Sequence, residues 1–143
     1  EFDFCGTDDV TPFLCLPTAL RFLGSLLDGG IPALMAHNHA LALAGRDVLC
    51  RAIGSTPAAP PTMIGSLASV VLPPSDAPTG AHGLDPLQQR LWDEDRIEVP
   101  VMRWPKPALR LLRISPQIYN SIGQYELLAQ RTVAAIAGAR TAG

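Results

Sequence analysis

The chain has 143 residues, 48% hydrophobic and 17% charged, so it can bury the core of one domain and is too apolar to be disordered. A net charge of −2 with no basic run argues against a nucleic-acid or anionic-membrane surface, and no apolar stretch reaches the roughly 18 residues of a membrane span. Cys5, Cys15 and Cys50 are odd in number and far apart, which fits neither a zinc spacing nor a disulfide framework and predicts reduced thiols in a cytoplasmic protein.

The opening EFDFCG has no basic region, no signal-like apolar run and no initiator Met, so the chain is expected to begin part-way through a longer product. Asp8, Asp9 and Thr11 precede Pro12, a helix-start pattern. Leu16, Leu20, Leu23 and Leu27 then recur at helical spacing until Asp28-Gly29-Gly30. Pro32 opens a second helix to about Ile53, with Met35, Ala42, Leu49 and Ile53 on one stripe, His37, Asn38, Arg46 and Arg51 as polar positions, and Gly54 as C-cap.

STPAAPPT is a loop, and GSLASVVLP (65–73) reads as a strand from its β-branched run. After a long Pro/Gly loop, Asp85-Pro86 starts a third helix with Leu84, Leu87 and Leu91 inward. IEVPVMRW (97–104) and ALRLLRIS (108–115) are strands joined by the WPKP turn; Pro100 belongs at an edge or bulge. Asn120 or Ser121 caps a last helix to about Gly138, with Tyr125, Leu128 and Val133 inward. The order α-α-β-α-β-β-α predicts an α+β layer: a small, mostly antiparallel sheet covered by helices on one face.

Few residues carry chemistry by pattern. Asp3, Cys5, Asp8 and Asp9 crowd the start, but one thiol among carboxylates is a poor zinc set, and helix capping accounts for Asp8 and Asp9. His37 and His39 are two apart on a helix and diverge, so no metal site is expected. There is one lysine, Lys106, between two prolines. Arg113 stands in an apolar strand and needs a partner or a ligand; a structural ion pair and a carboxylate-binding role both satisfy it.

GTDD before an apolar helix, then ALMAHNHALALAGRDVLC, GSLASVVLP, LQQRLW, RIEVPV and LRISPQIYNSIGQYELLA, come in an order that resembles the C-terminal part of class V aminotransferase-fold proteins. The resemblance is to the isopenicillin N epimerase-like branch and runs from about Phe4 to Ala129. It implies the fold-type I architecture that binds pyridoxal 5′-phosphate. Residues 1–30 would then close the large domain, 31–54 form the connecting helix and 55–143 the small α+β domain. It also implies that Gly6-Thr7 contacts the cofactor phosphate across a homodimer interface and that Arg113 grips the carboxylate of a small amino-acid substrate.

Three departures accompany it. Cys5 stands where an aromatic is usual, Pro100 where desulfurase relatives carry an arginine, and no lysine lies near the GT motif. Without a Schiff-base lysine the chain alone is expected not to catalyse. The whole enzyme would be of epimerase, aminotransferase, desulfurase or lyase type. A non-catalytic carboxylate-binding or regulatory domain, or a decayed gene piece, is the alternative.

Overall fold

In a computed structural model, the protein is described over residues 9–80, 83–106 and 109–141. Four helices and three short strands alternate as α1 (Thr11–Gly24), α2 (Gly30–Ile53), β1 (Ala68–Leu72), α3 (Pro86–Asp95), β2 (Val101–Arg103), β3 (Arg110–Ile114) and α4 (Ile122–Thr141). This is the expected α+β order. The chain divides into two compact units, Glu1–Ala36 and His37–Gly143.

In the first unit, Asp9 Oδ1 accepts from Thr11 N at 2.9 Å and Pro12 occupies the first turn. These hydrogen bonds, side chain first, hold the Asp9 carboxyl below its usual range. Asp8 lies outside the described residues. Helix α1 buries none of its residues, Leu16 and Leu20 included. Gly29 and Gly30 follow with φ of 94° and 67°, the left-handed conformation that separates α1 from α2.

The second unit is built on a three-stranded antiparallel sheet of order β1-β3-β2. Side-chain alternation makes one face apolar and buried: Ala68, Val70 and Leu72 of β1 with Leu112 and Ile114 of β3. Ala42 and Leu49 of α2, Leu87 and Leu91 of α3, and Tyr125, Leu128, Ala129 and Ala135 of α4 belong to the same core. The other face carries Ser69 opposite Arg113 and Val71 opposite Leu111.

Strand β2 is shorter than the apolar run suggests. Pro100 has no N–H to add to a ladder, and pairing starts only at Val101; β2 is an edge strand, where such a residue is tolerated. The carbonyl of Pro100 still accepts from Arg113 N at 3.1 Å. Helix α3 begins as expected, Asp85 Oδ1 accepting from Leu87 N at 3.0 Å ahead of Pro86.

Two inward assignments differ. Val133 is exposed, and its place on the inner stripe of α4 is taken by Thr132, which keeps the spacing from Tyr125, Leu128 and Ala129. Met35 is exposed, while Asn38 and Arg46 of the same helix are buried at 5% and 4% exposure. Arg46 is held by Asp47 and by the carbonyl of Ala59, so its charge is compensated.

Candidate functional site

Two arginines of β3 sit three residues apart and therefore on opposite faces. Arg110 points into the buried face and is fully engaged. Its Nη1 lies 3.1 Å from Asp85 Oδ1, and its Nε and Nη2 donate to the carbonyl of Pro73 at 3.1 and 2.9 Å. Asp85 also receives Arg103 at 3.3 Å, and Arg103 donates to the carbonyl of Ala77. A cavity of about 280 Å³ adjoins this cluster, walled by Pro73, Leu87, Arg90 and Arg110 among others. Arg90 is likewise occupied, by Glu94 and the carbonyl of Ala135. This first cavity therefore has charged walls whose hydrogen bonds are already made.

Arg113 differs. It is half-buried, and its Nε is shut off from solvent with no hydrogen-bond partner among the described residues. An unmet donor on a cation costs at least the ~1–3 kcal/mol of an ordinary unsatisfied polar group. Arg113 forms part of the wall of a larger cavity, about 440 Å³, between residues 95–100, the end of β3 and the first turns of α4. Ser115, Asn120, Gln124 and Tyr125 contribute polar groups to that wall. Burial pushes the Tyr125 hydroxyl above its usual pKa, and the neighbouring Tyr119 adds to the rise, so Tyr125 is a neutral hydroxyl at ordinary pH.

The start of α4 is fixed by its own side chains. Gln124 Oε1 accepts from Ser121 N at 3.0 Å, the glutamine half of a capping box. Asn120 Oδ1 accepts from Gln117 N at 3.0 Å and its Nδ2 donates to Gln124 at 3.1 Å. Asn120 thus bonds to Gln117 and to the Gln124 side chain rather than to a backbone N–H of α4; of the two expected caps the capping-box position is that of Ser121, and Asn120 stands at the cavity.

Gly6 and Thr7, expected at a cofactor phosphate, lie outside the described residues, as does Cys5. Lys106 is exposed in the β2–β3 turn, where Leu109 N donates to its carbonyl at 3.0 Å and Trp104 N to Leu109 O at 3.0 Å. It is not among the residues of the Arg113 cavity. Pyridoxal phosphate requires a lysine amine and several phosphate donors. The described residues offer no lysine beside Arg113, so they do not by themselves fit that cofactor. Among the described residues no cluster of His, Cys, Asp or Glu could hold a metal, and no helix is long and apolar enough to cross a membrane. His39 Nδ1 lies 3.1 Å from the carbonyl of Gly65, an ordinary structural contact.

The Asp85–Arg110–Arg103 cluster was not singled out from sequence. The available signal was strand parity: in ALRLLRIS, positions 110 and 113 cannot share a face. Asp85 could be read as a cap but not as the counter-ion of a strand 25 residues later.

No protein-family profile matches the chain. Over 127 residues the chain is 34% identical to isopenicillin N epimerase of Amycolatopsis lactamdurans. The match takes in 87% of this chain and 29% of that protein, so the chain spans under a third of the relative's length.

Proposed function

We propose that the chain is the C-terminal part of a pyridoxal-phosphate-dependent enzyme acting on a small amino acid, with Arg113 receiving the substrate's carboxylate. One observation carries this: Arg113 stands on the wall of a cavity, and its Nε has no acceptor among the described residues. A planar carboxylate supplies the acceptors that a guanidinium lacks. The similarity to an epimerase over most of the chain supports the enzyme class, and epimerase-type chemistry is the first choice within it.

In this reading residues 1–30 belong to the cofactor-binding domain, 31–54 form the connecting helix and 55–143 the small domain. Gly6 and Thr7 serve the phosphate bound by the other subunit of a homodimer. The cofactor would supply the electron sink for chemistry at the substrate's α-carbon. The chain's own share is to bind and orient. With Lys106 as its sole lysine, in an exposed turn, the chain alone is not expected to turn over substrate. The orphan guanidinium would equally serve a non-catalytic carboxylate-binding domain.

The binding step is testable on the chain itself. The Nε–Hε resonance of Arg113, assigned by its loss in Arg113→Lys, should shift on titration with sodium acetate against sodium chloride at equal ionic strength. Saturation is expected in the millimolar range, and Arg113→Lys, followed at the backbone amides of Gln124 and Tyr125 because it lacks that resonance, should weaken acetate binding at least ~10-fold, since a point charge does not replace a planar fork. An Arg113 resonance indifferent to acetate would overturn the proposal.

A further inference from the structure

The wall of the Arg113 cavity is tied to the buried face of α2 by a relay of amides. Gln117 Oε1 accepts from Asn38 Nδ2 at 2.7 Å and from Ile118 N at 2.9 Å. Gln117 N donates to Asn120 Oδ1 at 3.0 Å, and Asn120 N donates back to the carbonyl of Gln117 at 2.7 Å. Asn120 Nδ2 then reaches Gln124 Oε1 at 3.1 Å. Asn120 and Gln124 line the cavity; Asn38 does not, and is only 5% exposed. The relay thus starts from a buried residue 79 positions from its partner in sequence and ends at residues that line the same cavity as Arg113.

Asn38 is a poor choice for stability. Its Oδ1 is buried with no partner, so half of its amide is desolvated without return. Gln117 does not depend on Asn38 for satisfaction, because Oε1 keeps Ile118 N. Leucine has nearly the same shape, carries no polar group and has a higher helix propensity. A half-satisfied buried amide is worse for folding than an apolar side chain of that size, so its one bond needs a different account.

We infer that Asn38 is a positioning residue of the Arg113 cavity: it holds Gln117, and through it Asn120 and Gln124, at the setting in which the cavity accepts a carboxylate. The inference rests on the carboxylate role of Arg113. Neither Asn38 nor Gln117 needs to touch the ligand.

The test uses the 143-residue chain and acetate as probe, read at the Arg113 Nε–Hε resonance and, in parallel, by thermal unfolding. Asn38→Leu should leave the unfolding midpoint unchanged or raised and weaken acetate binding about 3- to 10-fold, the range for one lost neutral hydrogen bond. Gln117→Leu should weaken acetate binding by at least a similar factor, and the double variant should be no weaker than Gln117→Leu alone, because that change already removes the Asn38 bond along with the one to Ile118 N. An Asn38→Leu chain that binds acetate as the parent does overturns the inference. So does one that loses stability in step with affinity or fails to fold, since Asn38 would then be a packing residue. A parent chain with no acetate response sinks the carboxylate reading itself, and the inference falls with it.

Discussion

Asp85 shows how one carboxylate can organise a small domain. It is 2% exposed, caps α3 through Leu87 N, and faces Arg110 and Arg103. A buried charge is tolerable only when paired and hydrogen-bonded, and here both partners also reach backbone carbonyls of the 73–77 segment. Asp85→Ala would strand the buried guanidinium of Arg110 and remove the cap together. Unfolding in urea should show a loss of ~3–5 kcal/mol, the range for breaking a buried ion pair from one side. Asp85→Asn keeps an acceptor for Leu87 N and should lose less. A loss below ~1 kcal/mol in Asp85→Ala, the scale of a cap alone, would mean the ion pair contributes nothing. Arg113 was legible from sequence as a charge that needed an explanation, because an arginine flanked by Leu111, Leu112 and Ile114 in a strand is unusual. Which of the two β3 arginines is paired was not legible: Asp85 and Arg110 are joined by tertiary contact, which leaves no local trace.

At the scale of elements, local signals did well where a cap or a proline enforces a boundary. Asp85-Pro86, the Pro100 edge and Gly54 all act where the chain predicts, Gly54 with φ of 73° and its N–H on the carbonyl of Cys50 at 3.0 Å. They did less well where packing alone decides. Thr132 lies fully inside α4's stripe while Val133 is exposed, because a phase error of one residue turns a side chain by about 100° and hydrophobicity alone misplaces it. Asn38 and Arg46 read as polar positions of α2, and both are buried, Asn38 bonded to Gln117 of a distant segment and Arg46 to Asp47 and the carbonyl of Ala59. Gly45 marks how tightly these elements meet. A Cβ there would stand 2.9 Å from the Tyr125 ring and 3.0 Å from Ile114 Cδ1. Alanine is the better helix former by roughly 1 kcal/mol, but overpacking a closed contact costs about 1–3 kcal/mol. Since Tyr125 and Ile114 are themselves 7% and 2% exposed, they have little room to retreat. Gly45→Ala should therefore lower the unfolding midpoint. A variant more stable than the parent would show that α2 and α4 can separate freely, and the account of this contact would be wrong.

For the molecule as a whole, α1 poses the sharpest question. Phe13, Leu14, Leu16, Leu20 and Phe22 are each more than half exposed, and successive turns at 100° place them around much of the helix rather than on one stripe. A helix apolar on several sides belongs inside a larger body, and single exposed apolar residues do not make such a pattern. The sequence suggested one apolar face from the leucine spacing; it could not reveal that these side chains are exposed, because burial is a property of the neighbours. On its own, the 143-residue chain should instead cover α1 with further copies of itself. Light scattering should then report a mass above that of the monomer, rising with concentration. Phe13→Glu with Leu20→Glu places two charges about two turns apart on the same side, which costs the helix little and makes a dry contact there unfavourable. That double variant should return the mass to the monomer with its helix content unchanged. A parent chain that stays monomeric at ~100 μM would show that exposed α1 carries no association energy, and the case for a covering partner would lose its physical basis.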